Sequence, residues 1–276
     1  MVSVLRAFQA ARKPSRAVNL PDANERLSTE AAYQDERMAQ ALQGRLEFRD
    51  RFYFINRTAY RLYLDLHRGM RGKRVVVVGS SDAGVTPLAR EGVFVEGIDV
   101  SAGSIAKLNQ SIEAEGLGEY ASARVMDAHS LEYANDSIDL ITCSGVLHHL
   151  DTERALASWA RCIKPDGAIL LFEPLAFHPL AAMFRAVTPS MRTPDEHPLR
   201  PRDFHLMRKY FDSVNRSDFG LTTPICAGIA VIPSLQRIAE RLLPAFEFLD
   251  SVLLRVAPLR NICWLTVVKL ERPCRT

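Results

Sequence analysis

The spacing of hydrophobic residues changes near residue 70. Before that point apolar residues recur with helical spacing, at Ala39, Leu42, Leu46, Phe52, Phe54, Ile55, Tyr60, Leu62 and Leu64. We therefore predict an N-terminal helical extension over residues 1–70. From Arg74 onward short runs rich in β-branched residues take over, namely RVVVV, VFVEGID, ARVMD, IDLITC and AILLFE. Helical patterns lie between them, such as Ser101 to Glu115 and Asp151 to Cys162.

Strands that alternate with helices predict an α/β fold, in which a doubly wound parallel sheet carries helices on both faces. We place this domain at residues 71–276, with its core motifs at 74–174. The four valines of RVVVV are typical of a central strand buried on both faces.

The polar stretch after the valines, GSSDAG, has two interpretations: a loop that ends an ordinary strand, or a nucleotide-binding turn. Ligands of doubly wound sheets bind beyond the carboxyl ends of the strands. Gly79 allows close approach of a ligand, and Ser80 and Ser81 add little bulk. Asp99 follows Gly79 by twenty residues, at the end of the second strand, where an acid can accept hydrogen bonds from ribose hydroxyls. These positions favour the nucleotide-binding turn.

Composition limits the partners. The chain has 276 residues, 47% of them hydrophobic, which is enough for one sizeable core. Its 35 basic and 32 acidic residues give a net charge of +3, too even a balance to predict a nucleic-acid partner. Five scattered cysteines without CxxC spacing predict neither a disulfide framework nor a zinc site and are typical of a cytoplasmic protein. No apolar run approaches the roughly 18 residues that would span a bilayer.

The first twenty residues carry Arg6, Arg12, Lys13 and Arg16 with no acid before Asp22. This pattern is typical either of an organellar targeting segment or of a basic tail.

The third predicted strand ends in Asp127, which either receives an adenine amine or caps the following loop. The motifs GxGxxG and GK[ST] are absent, which disfavours an NAD-dependent oxidoreductase and excludes a P-loop. The fourth strand runs into VLHHL, and the fifth follows a tight turn at KPDG.

The ordered set VVVVGSSDAG, VEGIDVS, ARVMDA, NDSIDLITCSGVLHHL and CIKPDGAILLFEP resembles the class I S-adenosylmethionine-dependent methyltransferases, specifically their small-molecule branch. The resemblance covers Arg74 to Pro174. It implies a Rossmann-like, seven-stranded sheet whose last strand is antiparallel and spans Ile262 to Leu270, after a sixth strand near Phe211 to Gly220. It also implies S-adenosyl-L-methionine as the cofactor and a small molecule as the substrate, with the acceptor atom at a hydroxyl of a secondary metabolite, glycan or lipid-linked intermediate.

The resemblance also assigns residues to the cofactor. Gly79, Ser80 and Ser81 would line its methionine moiety, and Asp99 would hold its ribose. The adenine would lie between Val100 and Ser101 on one side and Met126, Asp127 and Ala128 on the other. Cys143 and Ser144 would lie beneath the sulfonium.

Two positions depart from the family pattern. Val77 stands where the family usually has an acid, and Ser81 replaces its second glycine. These departures leave an alternative open: a protein of the same fold that transfers no methyl group, either a cyclase-like enzyme or a binding module.

Two adjacent histidines, His148 and His149, follow the fourth strand. Removal of a proton from a hydroxyl acceptor suits a histidine, so one interpretation makes this pair catalytic. The other makes it a packing element at the start of a helix. Ubiquinone-type O-methyltransferases carry acidic metal ligands around this loop, whereas this chain has Gly145 and His148 there, so we predict no similar metal site.

The outer regions are expected to select the substrate. Tyr33, Arg37 and Tyr53 either cap the cofactor or belong to a lid that packs on the core. Residues 175–210 carry basic side chains that either meet a polar or anionic substrate or form a solvated face: His178, Arg192, His197, Arg200 and Arg202. Residues 221–260 form a long apolar insertion that lines a substrate cavity, contacts a second copy of the chain or lies on a membrane surface.

Overall fold

The first strand lies inside the sheet, with a paired strand on each side. A computed structural model describes residues 54–79, 82–187 and 196–274 of the chain. In β1 (Arg74–Val78), Val76 and Val78 pack into the core on one face of the sheet and Val75 and Val77 into the core on the other. Side chains alternate across a strand, so a run of four valines supplies both cores. The predicted central strand, buried on both faces, is confirmed.

Seven strands form a single sheet in the order β3, β2, β1, β4, β5, β7, β6. The remaining strands are β2 (Phe94–Asp99), β3 (Ala121–Val125), β4 (Ile138–Ser144), β5 (Ile163–Pro174), β6 (Phe211–Phe219) and β7 (Leu265–Pro273). The first five strands pair in parallel, and β7 runs antiparallel to both of its neighbours. The strand order reverses between β1 and β4, which makes the carboxyl ends of these two strands the expected ligand-binding crevice.

The last strand begins later than the sequence predicted. It runs from Leu265 to Pro273 rather than from Ile262 to Leu270. Residues Ala257–Ile262 form a 3-10 turn, with Pro258 near its start, and this turn takes Ile262 out of the predicted strand. The predicted seven-stranded sheet with an antiparallel last strand is otherwise confirmed.

Helices cover both faces of the sheet. In the described part of the chain they are α1 (Arg57–Asp65), α2 (Asp82–Arg90), α3 (Ala102–Ala114), α4 (Thr152–Cys162), α5 (Pro179–Val187), α6 (Pro201–Tyr210), α7 (Pro224–Ala230) and α8 (Gln236–Leu253). Helices α1, α2 and α3 pack on one face, and α4 and α6 on the other. Side chains cap two of these helices: Ser101 accepts the Ser104 N–H at 3.0 Å, and Asp151 accepts the Arg154 N–H at 3.1 Å.

The apolar residues of the first described helix are not all buried. Tyr60 and Leu64 are 45% and 48% exposed, whereas Ala59 and Tyr63 are buried. The polar atoms of this face find partners inside the core. The Tyr63 hydroxyl bonds the Thr142 hydroxyl, and the His67 ring bonds Thr142 Oγ1 at 2.9 Å and the Tyr63 carbonyl at 2.7 Å. A polar network, rather than hydrophobic spacing alone, therefore fixes the side of α1 that meets the sheet.

The apolar insertion is helical. It consists of α7, α8 and the following 3-10 turn, and it is tied to the end of β6 by Asp250 of α8. The buried Asp250 carboxylate accepts the backbone N–H groups of Leu221 at 3.0 Å and Thr222 at 2.7 Å, and the Thr222 hydroxyl at 2.6 Å.

The helices of the insertion and the turn between them also expose apolar side chains. These are Ile225, Val231, Ile232, Ile238, Leu242, Phe248, Leu249 and Val252. No helix in residues 54–79, 82–187 and 196–274 is both long enough and apolar enough to cross a bilayer.

Candidate functional site

The turn after β1 lies against the loop after β4. Gly79 has a φ of +80°, and its N–H donates to the Ile98 carbonyl of β2 at 2.9 Å. A Cβ atom at this position would run into the Val146 side chain. Glycine is therefore required both for the left-handed backbone and for the close approach of the two loops. The two loops border the crevice where the strand order reverses.

Asp99 ends β2 at the same edge of the sheet. Its Oδ1 accepts the Ser101 N–H at 2.9 Å, and Ser101 in turn caps α3. The carboxylate is thus held at the start of a helix, with its residue only partly buried. This is the position from which an acidic side chain can accept hydrogen bonds from ribose hydroxyls.

Asp127, after β3, organises its own loop. Its Oδ1 accepts the backbone N–H of His129 at 2.8 Å and the ring Nδ1–H of His129 at 2.7 Å, and the His129 Nε2 accepts the Asp151 N–H at 2.9 Å. Burial acts to raise the pKa of Asp127, but the hydrogen bonds from His129 outweigh it and lower that pKa. Oδ1 of Asp127 therefore caps the loop, as one of the two interpretations expected. The contact of Asp127 with the adenine amine stays a prediction.

A buried carboxylate that sequence reasoning missed, Glu173, holds the loop after β4. Glu173 is at the end of β5 and has no exposed surface. Its Oε1 accepts the backbone N–H groups of Val146 at 3.1 Å and Leu147 at 2.8 Å, and its Oε2 lies 2.7 Å from Nδ1 of His148. Charged acceptors make strong hydrogen bonds with N–H groups, so Glu173 fixes both the loop and the imidazole.

The paired histidines lie on a 3-10 turn, Leu147–His149, with ring centroids 4.2 Å apart. His148 is 8% exposed, and His149 is partly exposed. The His148 carbonyl accepts the His197 N–H at 2.8 Å, which brings the segment after residue 195 against this turn. As a result, Glu196 joins the pair: one ligand atom each from His148, His149 and Glu196 lie within 4.8 Å of one another. Sequence reasoning also missed Glu196.

The other predicted cofactor residues divide by exposure. Ser101 and Cys143 are fully enclosed, Met126 and Ala128 are buried, Val100 is partly buried and Ser144 is exposed. The Cys143 thiol donates to Glu173 at 3.5 Å, and burial raises its pKa well above the ordinary value. Cys143 thus supports the floor of the crevice, and Ser144 is on its accessible side.

Several predicted residues lie outside the described parts of the chain: Ser80, Ser81, Tyr33, Arg37, Tyr53 and Arg192.

The basic residues of 175–210 do not share one face. His178 is 2% exposed, its Nε2 lies 3.1 Å from the Leu221 carbonyl, and burial lowers its pKa. His178 is therefore an internal tie to the loop after β6 rather than part of a solvated basic surface. Arg200 and Arg202 are exposed at the start of α6, where the Arg200 N–H donates to Asp203 at 2.7 Å.

Comparison with known proteins agrees with this geometry. Residues 77–171 match the family described as a methyltransferase domain. The ubiquinone biosynthesis O-methyltransferase of Neisseria meningitidis serogroup C is 34% identical over 112 residues, which are 39% of this chain and 46% of that protein. The phosphatidylethanolamine N-methyltransferase of Cereibacter sphaeroides is 29% identical over 124 residues, which are 44% of this chain and 61% of that protein. The chain thus spans less than two thirds of each relative.

Among solved structures, geranyl diphosphate C-methyltransferase from Streptomyces coelicolor A3(2) superposes with a TM-score of 0.55. The match covers 78% of this chain and 79% of that one at 13% identity, so it supports the fold alone. That structure contains Mg²⁺, geranyl diphosphate and S-adenosyl-L-homocysteine. By their names, these three similar proteins methylate oxygen, nitrogen and carbon, so the comparison does not assign an acceptor atom.

Proposed function

We propose that this chain, whose residues 77–171 match a methyltransferase domain, is a class I S-adenosylmethionine-dependent methyltransferase that binds S-adenosyl-L-methionine at the carboxyl edge of its sheet and methylates a small molecule. The observation that carries the proposal is that Gly79 and Asp99 lie at the carboxyl ends of the adjacent parallel strands β1 and β2. Gly79 offers a backbone with no side chain at the crevice, and Asp99 offers a carboxylate one strand away.

The residues present fit such a cofactor. At Gly79 the backbone itself borders the crevice, since the Val146 side chain packs where a Cβ would lie, and Asp99 can accept hydrogen bonds from the ribose hydroxyls. Val100 and Met126 would flank the adenine, and Asp127 would face its amine. When bound, the cofactor supplies an electrophilic methyl group on a sulfonium. Val77 belongs to the core beneath the turn, so the acid that the family usually has there is replaced by packing.

The acceptor side is best supported at the histidine pair. Glu173 holds the His148 ring through Nδ1, which turns the Nε2 edge of that ring away from the carboxylate. A positioned imidazole can assist removal of a proton from an acceptor hydroxyl. We therefore propose a hydroxyl of a secondary metabolite, glycan or lipid-linked intermediate as the acceptor, with His148 and His149 at the site of proton removal.

Calorimetric titration tests the proposal. The full-length protein is titrated with S-adenosylmethionine and S-adenosylhomocysteine, with NAD as the control ligand. We expect micromolar binding of the first two and none of NAD. Asp99→Ala removes charge-assisted hydrogen bonds worth about 1.5–3 kcal/mol each, so its affinity should fall at least tenfold. The matched control is Glu119→Gln, which alters an exposed acid on the loop before β3.

The alternative, a protein of this fold that transfers no methyl group, predicts a different result. Neither S-adenosylmethionine nor S-adenosylhomocysteine would bind, so Asp99→Ala would cause no loss of affinity. Binding that is unchanged in Asp99→Ala would instead reject the assigned ribose contact while leaving the cofactor assignment in place.

A further inference from the structure

We propose that His148, His149 and Glu196 together bind one divalent transition-metal ion at the carboxyl edge of the sheet. Their ligand atoms, one per residue, lie within 4.8 Å of one another. Two imidazoles and one carboxylate form a ligand set that suits Zn²⁺ or Fe²⁺ and leaves coordination positions for other ligands. Mg²⁺, which prefers oxygen ligands, is a poorer match for two ring nitrogens.

The distances require only a small closure of side chains. Metal–nitrogen and metal–oxygen bonds of 2.0–2.2 Å place adjacent ligand atoms about 3–3.5 Å apart. All three distances between the ligand atoms are at most 4.8 Å, so any closure that the ion requires is small. His149 and Glu196 are both partly exposed, so their side chains can make this adjustment without rearranging the core.

Glu173 supplies the outer contact that such a site needs. Metal-binding histidines usually donate their second ring N–H to a carboxylate or carbonyl, which fixes the tautomer and the orientation of the ring. His148 has this arrangement: its Nδ1 lies 2.7 Å from Glu173 Oε2, and the Glu173 carboxylate is fully buried. Because Nδ1 faces Glu173, Nε2 is the ring nitrogen that would bind the metal.

The backbone holds the third ligand in place. The His197 N–H donates to the His148 carbonyl at 2.8 Å, so the residue next to Glu196 is fixed to the histidine turn itself. Glu173 holds this histidine turn by accepting the backbone N–H of Leu147. Hydrogen bonds thus hold together two segments that are 47 residues apart in the sequence.

The proposed ion would complete the acceptor site. Three protein ligands leave positions for an oxygen donor of the acceptor, such as a hydroxyl, and a bound metal lowers the pKa of a coordinated hydroxyl. This role in the reaction rests on the proposed function; the binding of the ion does not. This refines the proposed role of the pair: with the ion bound, the histidines hold the metal at the site of proton removal, and the proton of the coordinated hydroxyl passes to solvent water.

Co²⁺ titration of the chelator-stripped, full-length protein tests the site. Co²⁺ adopts geometries similar to those of Zn²⁺ and has visible absorption that reports its ligands, and thiolate ligation adds a strong charge-transfer band. We expect one Co²⁺ per chain without a thiolate band, which distinguishes this site from the partly exposed Cys274. His149→Ala and Glu196→Gln should each weaken binding more than tenfold, and Glu173→Gln should weaken it about 10- to 100-fold.

The matched control is His205→Ala, at an exposed histidine on α6, which should leave Co²⁺ affinity unchanged. Circular dichroism of each variant confirms folding, and His149→Ala and Glu196→Gln change only partly exposed side chains. No stoichiometric Co²⁺ binding, or binding that survives both substitutions, would overturn the proposal. Titration of the same samples with S-adenosylhomocysteine keeps the two proposals separate, because loss of the cofactor site would leave Co²⁺ binding intact.

Discussion

Nδ1 of His148 lies 2.7 Å from Oε2 of Glu173, a carboxylate with no exposed surface, at the end of the neighbouring strand. The same carboxylate accepts two backbone N–H groups of the loop that carries His148. One side chain therefore fixes both the path of the loop and the tautomer of the imidazole.

Replacing Glu173 with glutamine should reverse that tautomer. The glutamine oxygen can still accept the loop N–H groups, but its amide would donate toward Nδ1 and move the ring proton to Nε2. We expect the ¹⁵N signals of His148, assigned by their loss in His148→Asn, to change from the Nδ1–H to the Nε2–H pattern. The free energy of unfolding should fall by about 1–3 kcal/mol. Glu132→Gln, at a side chain that is 73% exposed, is the control and should change neither quantity.

Gly79→Ala should be far more damaging than an alanine at another glycine. The new Cβ meets the Val146 side chain, and the backbone φ of +80° is unfavourable for alanine. We expect a loss of about 1–3 kcal/mol in unfolding free energy and weaker S-adenosylhomocysteine binding. Gly118→Ala is the matched control, since nothing lies within 4 Å of its Cβ. Equal effects in urea unfolding of the two variants would contradict this account of the turn.

The buried His67 should make stability depend on pH. Burial lowers its pKa below the ordinary value of 6.5, so the folded protein holds it neutral while the unfolded chain binds a proton near pH 6.5. Its contribution is therefore fully present above pH 6.5 and is lost as the pH falls below that value. His67→Gln should flatten the slope of unfolding free energy against pH between 6.5 and 5, by at most about 1.4 kcal/mol per pH unit. His205→Gln, at an exposed position, provides the comparison slope.

Asp250→Asn should loosen the insertion from the sheet. Asparagine keeps one acceptor oxygen, whereas the Asp250 carboxylate serves three donors from Leu221 and Thr222. We expect a loss of about 1–3 kcal/mol and faster proteolysis within residues 221–260. Glu240→Gln, on the exposed side of the same helix, should leave the cleavage rate at the wild-type value. Cleavage that is equally slow in both variants would mean that packing alone holds the insertion.

Local sequence patterns predicted the sheet well because the apolar residues of each strand indicate which of its faces are buried. The alternate valines of β1 enter both cores, and Ser101 and Asp151 stand where their helices begin. Asp99 was found because its distance along the chain from Gly79 is characteristic. Glu173 had a usable signal, since it ends a parallel strand just as Asp99 does. Glu196 had none, because its approach to the histidines depends on a backbone hydrogen bond between distant segments.

The face of α1 shows a further limit of pattern reading. Tyr60 and Tyr63 are the same residue type, and the one that is buried is Tyr63, whose hydroxyl bonds Thr142 on β4. Spacing alone cannot locate a polar partner on another element, so the contact surface of this helix could not be predicted.

Because of the strand order, the sheet can be completed only after the last strand has been translated. Strand β6 bonds β7 alone among the strands, and β7 lies between β5 and β6 although it is translated after both. During translation β1 to β5 can assemble first, whereas β6 has no strand to pair with, and the insertion that follows it stays undocked, until β7 has been synthesised. Arrival of residues 265–273 then docks two strands at once. A pause or truncation before Leu265 would therefore leave β6 and the apolar insertion exposed together, in a state that invites aggregation.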